Sequence, residues 1–299
     1  MGDSAEDWVG SAVPRSEDAA LLSGNARFID DLSPLPGIRH VALLRSPYPH
    51  ARIREIDTRD AFALPGVVGI LTGSDIAALT DPLVSAVRAS VAYYPIAVDK
   101  VRYAGEPVAL IAAEDRYIAE DAAELIACDF EPLAAVVDPL AALSEEAPVL
   151  HEAAAGNLVH EREFAYGDPA TAFSRAAEVI KLKWRYPRQS STPMETYGAI
   201  AHYETTPDRY SVWSNFQGPF ILQPLMARAL RISGNQLRLI SAPYSGGSFG
   251  IKQGLYPYLV LLAAASRLLG CPLKWTEDRL EHLSGSSSAS DRRCYRSGF

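Results

Sequence analysis

Apolar residues recur along this chain in short runs that predict strands, and segments of helical spacing lie between them. In the first half, apolar or alternating runs predict strands at residues 38–45, 51–56, 67–71, 107–112 and 127–131. Helical segments are predicted at 59–63, at 74–78 with Ser74 as the N-cap, and at 116–126 with Asp115 as the N-cap.

The second half continues the same mixture of strands and helices. Strands are predicted at 178–186, 198–205, 210–214, 236–240 and 273–276. Helices are predicted at 168–176, 219–230 and 255–269, the last closed by Gly270 at a C-cap position. Strands interleaved with short helices and many turns indicate an α+β or α/β chain.

Changes in composition divide the 299 residues into segments. Residues 1–17 are polar and predict a flexible start. Residues 136–152 are rich in proline and alanine with little periodicity, which indicates a boundary before a second unit that begins near Leu158. From Ser284 onward the chain is polar and aperiodic, which predicts a disordered tail or an abrupt end of the structured part.

Charge and hydropathy exclude several classes of protein. The net charge of −8 and the lack of a Lys/Arg-rich run argue against a nucleic-acid partner. No run of about 18 apolar residues is present, so no membrane span is expected. The start, MGDSAEDWVGS, lacks the order of a signal peptide, which makes the cytoplasm the expected location.

The cysteines and histidines give no metal-binding pattern. Cys128, Cys271 and Cys294 lie far apart and form no CxxC pair, so we expect neither a zinc ribbon nor an iron–sulfur site within this chain. The histidines show no HxH or HxxxH spacing. No metal held by direct protein ligands is therefore expected, and Cys128 is interpreted as a small core residue.

The stretch Leu239–Lys252, LISAPYSGGSFGIK, is the most unusual in the chain. It runs from a predicted strand into a cluster of small residues around one large aromatic residue, Phe249. It is not a P-loop, because Lys252 is followed by Gln253, and it has no GxG fingerprint. Two readings remain open: a tight structural turn, or a loop whose backbone N–H groups bind an anionic or oxo group.

Two further polar residues lie at the ends of predicted strands. Gln217 follows YSVWSNF, and its amide could donate to an oxo ligand or lie on the surface. Glu195 lies between two strands and is a candidate general base. The structural alternative for Glu195 is a carboxylate that caps a turn or pairs with Arg185 or Arg188.

An ordered series of segments resembles the molybdenum hydroxylases, specifically the large, molybdopterin-binding subunit of the xanthine dehydrogenase, aldehyde oxidase and carbon monoxide dehydrogenase family. The resemblance covers residues 20–283. It is carried by GNARFIDD, RSPYPHARI, LPGVVGILTGSDI, VRYAGEPVALIAAEDRYIAEDAAELI, STPMET, NFQGPF, SGGSFGIK and KWTEDRLEH.

The resemblance implies a domain plan and a set of site residues. An α/β hammerhead domain would occupy residues 18–130, a linker 131–157, and the first part of a mixed α/β molybdopterin-binding domain 158–283, with 284–299 unmatched. Gln217 would bind an oxo ligand of molybdenum. The family loop is usually GGGFGGK, so Gly247, Ser248 and Gly250 would cradle the cofactor, with Phe249 on the substrate side.

The implied reaction is hydroxylation of a C–H carbon of an aldehyde or N-heterocycle, or oxidation of CO, with oxygen derived from water. The implied cofactor is molybdopterin with molybdenum, in the cytosine dinucleotide form. FAD and 2Fe-2S clusters would lie on a medium and a small partner subunit. Gln253 stands where purine-oxidising members have Glu, which makes xanthine a less favoured substrate.

The resemblance is to the N-terminal portion of a longer subunit. The catalytic glutamate of the family is expected beyond this chain, so no catalytic residue is assigned within it. A truncation, a frameshift, or a split subunit completed by a C-terminal half on a second polypeptide would each explain this. The alternative in another functional class is a non-catalytic relic or an assembly module.

Overall fold

Strands and short helices alternate along the residues that the computed structural model describes, which are 9–83, 91–154, 156–186, 191–286 and 292–298. The strands are β1 (Arg39–Arg45), β2 (Ala51–Asp57), β3 (Val67–Thr72), β4 (Lys100–Val101), β5 (Pro107–Ala113), β6 (Ala127–Pro132), β7 (Ile180–Tyr186), β8 (Gly198–Glu204), β9 (Arg209–Ser214), β10 (Leu237–Ser241), β11 (Leu273–Thr276) and β12 (Arg292–Gly298). The helices are α1 (Asp18–Leu22), α2 (Arg59–Ala63), α3 (Gly73–Leu79), α4 (Arg116–Glu124), α5 (Pro169–Arg175), α6 (Pro219–Ala229), α7 (Tyr256–Leu269) and α8 (Arg279–Glu281). The α+β class is confirmed.

A seven-stranded sheet in the order β10-β9-β8-β11-β1-β5-β3 organises the fold. Strand β5 pairs with β1 and β3, and all seven of its residues are buried, as its continuous apolar sequence predicts. Because side chains alternate across a strand, Leu110 and Ala112 join the core on one face. Ala109 and Ile111 join a separate core on the other face.

Helices cover both faces of this sheet. Helix α4 packs against β1 and β5, and α2 packs beside it. Helix α7 packs against β8 and β11 on the opposite face, where every residue from Tyr258 to Ser266 is buried. A helix that is apolar nearly all round is stable only inside a core, so α7 anchors the larger layer.

The sheet joins the two predicted domains. Strand β1 from the first pairs in parallel with β11 from the second, with Arg39 opposite Leu273 and His40 opposite Lys274. A buried ion pair reinforces this junction, because an Arg45 Nη2 atom lies 2.7 Å from Glu281 Oε1. The two predicted domains are therefore consecutive segments of the sequence whose strands belong to the same seven-stranded sheet.

Two smaller sheets complete the described structure. Strands β4, β2 and β6 form one of them, with Ala51 and Val101 in its core. Cys128 packs partly buried against this core, which confirms its interpretation as a small core residue. Strands β7 and β12 form an antiparallel pair. Strand β12 corrects the expectation of a tail without regular structure. The strand was not predicted because its partner, β7, lies more than a hundred residues earlier, and the tail itself has no periodic pattern.

Helix caps are predicted correctly at one position and wrongly at another. Asp115 Oδ1 accepts a hydrogen bond from Ile118 N at 2.9 Å, which confirms the predicted cap of α4. The N-cap of α3 is Thr72 and not Ser74. Thr72 is favoured at this position because its backbone N–H and its hydroxyl both donate to the Asp75 carboxylate, at 2.7 and 2.8 Å.

Some expectations fall on residues outside the described ranges. They include the first part of the flexible start, residues 1–8, and Arg188 as a partner for Glu195. None of the helices in the described part of the chain is both long enough and apolar enough to cross a membrane.

Candidate cofactor-binding loop

Two neighbouring parallel strands bring the candidate residues to one edge of the sheet. Strands β9 and β10 are paired in parallel, with Ser214 opposite Ser241 at their carboxyl ends. The segment carrying Gln217 leaves β9 at this edge, and the segment carrying residues 242–250 leaves β10. The carboxyl edge of parallel strands is where ligands bind in open α/β sheets.

The loop backbone has a conformation that requires glycine at particular positions. Gly247 and Gly250 have φ angles of +100° and +92°, in the left-handed region. Gly246 is required for a different reason, because a Cβ atom there would lie 2.5 Å from Glu195 Cβ. Phe249 adopts φ +51° between them, an uncommon conformation for a bulky residue.

Four consecutive backbone N–H groups are left unpaired by this conformation. Within the described residues, the N–H groups of Gly247, Ser248, Phe249 and Gly250 donate no hydrogen bond. The neighbouring N–H groups are used: Gly246 N donates to Glu195 Oε2 and Ile251 N to Ser248 O. Successive unpaired N–H groups in a turn form a concavity that attracts anions.

Gln217 lies directly beside this loop. Its Oε1 atom accepts a hydrogen bond of 2.7 Å from Ser248 Oγ. Its side-chain Nε2 makes no hydrogen bond in the described part of the chain. The structure therefore places Gln217, Gly247, Ser248, Phe249 and Gly250 together, and it leaves one amide group and four N–H groups as available donors.

Glu195 clamps the two ends of the loop. Its Oε2 atom accepts from Gly246 N at 2.9 Å and from Lys252 Nζ at 2.5 Å. Its own N–H donates to Gly246 O. This confirms the structural reading of Glu195 as a hydrogen-bonding carboxylate, and its cation among the described residues is Lys252.

Lys252 is fully buried, with no exposed side-chain surface. Burial lowers the pKa of Lys252, and the adjacent Glu195 carboxylate acts in the opposite direction. A buried ammonium group is tolerated when a carboxylate and further hydrogen bonds compensate for its lost hydration. No local sequence pattern indicates this pair, apart from a lysine that follows a run of small residues.

A second buried carboxylate, Glu277, is linked to the end of the loop through Tyr197. Glu277 Oε2 lies 2.6 Å from His282 Nδ1 and accepts from Tyr197 N at 3.1 Å. The Tyr197 hydroxyl in turn donates to Ile251 O at 2.6 Å. Burial raises the pKa of Glu277 to about 8, and burial lowers the pKa of His282 to about 4. Both effects favour the neutral forms of this pair.

Large apolar side chains are exposed in the loop and in the two segments that contact it, which carry Glu195 and Gln217. The Phe249 side chain is 76% exposed, and Met194 and Phe220 are 92% and 90% exposed. Such exposure is unusual for large apolar residues and marks an interaction or ligand surface when several lie together. Among the described residues, no cluster of three or more His, Cys, Asp or Glu side chains is arranged to hold a metal ion.

Two family models match the chain. The model for the a/b hammerhead domain of aldehyde oxidase and xanthine dehydrogenase matches residues 23–134. The model for the molybdopterin cofactor-binding domain matches residues 150–298 and so includes the loop, Gln217 and strand β12.

Curated and solved relatives agree with these matches. The chain is 36% identical to the 6-hydroxypseudooxynicotine dehydrogenase complex subunit gamma of Paenarthrobacter nicotinovorans over 95% of its length and 36% of the relative. It superposes on quinoline 2-oxidoreductase from Pseudomonas putida 86 with a TM-score of 0.87 and 38% identity, covering 96% of this chain and 37% of that one. For CO dehydrogenase from Oligotropha carboxidovorans the TM-score is 0.82 at 34% identity, covering 94% and 36%.

The chain thus spans about a third of the length of the relatives it matches. The two family models together account for most of its residues, and they match in the order that the resemblance implied. The chain belongs to the molybdopterin-binding large subunits of the xanthine dehydrogenase, aldehyde oxidase and carbon monoxide dehydrogenase family, and it corresponds to their N-terminal portion.

Proposed function

We propose that this chain supplies the molybdopterin-binding part of a molybdenum-dependent oxidoreductase. The reaction is hydroxylation of an aldehyde or N-heterocycle C–H carbon, or oxidation of CO, with oxygen from water. The observation that carries this proposal is the run of four unpaired N–H groups, Gly247 to Gly250, beside the unpaired amide nitrogen of Gln217. This donor set fits the oxo and anionic groups of a molybdenum–pterin cofactor.

Each residue of the loop has a defined part in the proposal. Gln217 Nε2 would donate to an oxo ligand, and the N–H groups of Gly247, Ser248 and Gly250 would hold the cofactor beside it. Phe249, whose ring is exposed, borders the substrate. When bound, the cofactor supplies the two-electron oxidation and activates water as the oxygen source. The protein contributes donors that are already oriented before the cofactor binds.

No side chain of the loop is available as a general base. The carboxylate beside it, Glu195, is committed to Lys252 and to Gly246 N. A proton acceptor for the substrate therefore comes from another part of the enzyme. This supports the proposal that a C-terminal molybdopterin-binding half, on the same or a second polypeptide, completes the site.

The exposed apolar side chains around the loop support the same partner. Phe249 lies in the loop, Met194 is next to Glu195 and Phe220 is three residues after Gln217, and we propose that this half covers all three exposed side chains. By analogy with relatives that are called a complex subunit and a large chain, we propose an FAD-binding medium subunit and a 2Fe-2S small subunit as further partners. We also propose the cytosine dinucleotide form of the cofactor and a cytoplasmic location.

Co-expression tests this function. The chain is produced with the polypeptides encoded beside it, in a host that makes the cofactor, and molybdenum per purified complex is measured. We expect near-stoichiometric molybdenum, with a strong loss in Gly247→Val. Gly234→Ala, in the short turn Gly234–Gln236 where an added Cβ atom would meet nothing within 4 Å, serves as the control that retains the metal. A complex that assembles without molybdenum would contradict the proposal and favour the non-catalytic assembly module.

A further inference from the structure

The oxygen of the Gln217 amide is engaged, whereas its nitrogen is not. Ser248 Oγ donates to Gln217 Oε1 at 2.7 Å. A glutamine amide can rotate by half a turn and exchange its donor and acceptor ends at little steric cost. For an exposed side chain such as Gln217, a specific hydrogen bond is therefore needed to decide which end faces a ligand.

The Ser248 hydroxyl is itself oriented by the backbone. Lys252 N donates to Ser248 Oγ at 3.3 Å, so the hydroxyl oxygen acts as an acceptor on that side. Its own proton is then free to point at Gln217 Oε1. The two hydrogen bonds therefore point the same way, from Lys252 N to Ser248 Oγ and from Ser248 Oγ to Gln217 Oε1, and we call this chain the relay. Hydrogen bonds in such a chain polarise and strengthen one another.

Two buried anchors keep this relay in place. Lys252 is fixed by its ion pair with Glu195, and Tyr197 holds Ile251 O through its hydroxyl. These bonds tie the backbone that presents Lys252 N to the residues just before β8, and β8 pairs with β9, the strand that precedes Gln217. A glycine or alanine at position 248 would keep the backbone but remove the only hydroxyl in the relay.

We propose that Ser248 is a positioning residue that orients the Gln217 amide, holding its oxygen inward and its NH₂ group toward the cofactor. The identity of the ligand in this proposal rests on the proposed function. The hydrogen bond between Ser248 and Gln217 is seen in the structure and does not depend on that function. At Gln217, which we propose would bind an oxo ligand, the hydrogen bond from Ser248 would turn the NH₂ donor of the amide, and not its carbonyl acceptor, toward that ligand.

The first test uses NMR on the full chain with no cofactor added. The chain is labelled with ¹³C,¹⁵N-glutamine, and the Gln217 signals are assigned by their loss in Gln217→Asn. Gln223 is an internal reference, because its Nε2 donates to Gly234 O and Leu237 O at 3.0 and 3.1 Å. We expect rapid exchange of both Gln217 amide protons, and slower exchange of those of Gln223.

Substitution of Ser248 gives the decisive comparison. In Ser248→Ala the Gln217 ¹³Cδ resonance should move upfield, because its carbonyl loses a donor, whereas Ser248→Thr should retain the wild-type shift. An unchanged ¹³Cδ shift in Ser248→Ala would overturn the proposal. So would a protected Gln217 amide proton that loses its protection in Ser248→Ala, since that result means the amide is oriented the other way.

The second test uses the molybdenum-loaded complex. Ser248→Ala should lower kcat roughly fivefold, the value of one hydrogen bond, at unchanged molybdenum content and KM, and Ser248→Thr should restore it. Gln217→Ala is measured in parallel. If Gln217→Ala has no effect on kcat, the proposed function of the site fails. If Gln217→Ala lowers kcat and Ser248→Ala does not, the positioning role of Ser248 fails.

Discussion

Lys252 Nζ lies 2.5 Å from Glu195 Oε2, and this pair joins two segments 57 residues apart in the sequence. The lysine has no exposed side-chain surface, and the glutamate side chain is 13% exposed. The same carboxylate holds Gly246 N at the start of the loop, so one anion fixes both ends of the segment that presents the free N–H groups.

We expect Glu195→Gln to destabilise the chain by about 3 kcal/mol, because it leaves a buried ammonium group without its counter-charge. Urea unfolding at neutral pH measures this. The double variant Glu195→Gln/Lys252→Met should cost less than the sum of the two single variants, since it removes both members of the pair.

The matched control for this pair is Asp30–Lys274, in which the lysine is buried but the aspartate is 64% exposed. Asp30→Asn should cost no more than about 1 kcal/mol, because water screens the exposed carboxylate. Equal losses in Glu195→Gln and Asp30→Asn would contradict the special role of the Glu195 clamp.

Gly246→Ala should disturb the clamp directly. The added Cβ atom would lie 2.5 Å from Glu195 Cβ, so the loop or the strand end must move, and we expect a loss of about 2 kcal/mol in unfolding free energy. Gly234→Ala is the control, because a Cβ atom there meets nothing within 4 Å. A stability of Gly246→Ala equal to that of Gly234→Ala would show that the close approach is not constrained.

The Glu277–His282 pair predicts a pH dependence of stability. Burial raises the pKa of Glu277 from 4.5 to about 8, so this group stabilises the folded state at low pH and the stabilisation is lost as pH rises through that range. Burial lowers the pKa of His282 from 6.5 to about 4, so its contribution is lost as pH falls below 6.5. Above pH 6.5 the His282 contribution is constant, so within this pair only Glu277 makes stability change with pH. Burial also raises the pKa of Glu106 to about 7, which adds a smaller loss of stability in the same direction.

We therefore expect the unfolding free energy to fall by roughly 2 kcal/mol between pH 6.5 and 8. Glu277→Gln, which cannot ionise, should remove most of this slope and leave the smaller part that belongs to Glu106. The measurement is a series of urea titrations of both proteins at the same pH values. A slope that is identical in wild type and Glu277→Gln would assign it to other groups.

Gln217→Ala, in a molybdenum-containing complex, tests the donor at the edge of the loop. One oriented donor in an active site is worth about 2.7–4 kcal/mol, so turnover should fall about 10²- to 10³-fold. The molybdenum content and thermal stability should be unchanged, because the side chain is exposed. Turnover within twofold of wild type would refute the role assigned to Gln217.

Local features of the sequence predicted much of this fold. Strand β5 and its cap residue Asp115 were predictable, because a continuous apolar run and an N-cap are encoded within a few neighbouring residues. Thr72 was missed, because Ser74 satisfies the same residue preference, and only the spacing to Asp75 distinguishes the two.

The features missed in the sequence are those that depend on distant partners. Neither Lys252 nor Glu195 carries a local sign of the other, and the Glu277–His282 pair also lacks a recognisable motif. The loop was identified by its glycines and its resemblance to a family. The unpaired N–H groups became visible only with the backbone conformation, and the roles of Gln217, Gly247, Ser248, Phe249 and Gly250 toward a cofactor remain predictions.

The parallel pairing of β1 with β11 has a consequence for folding. Arg39 and Leu273 are opposite each other although more than two hundred residues separate them, so closing this pair carries a large loop-closure entropy. Until residues 273–276 are synthesised, one edge of β1 has no partner and can pair with another chain. Fragments cut at the expected domain boundary, residues 131–157, should therefore aggregate when produced separately and recover the sheet when produced together.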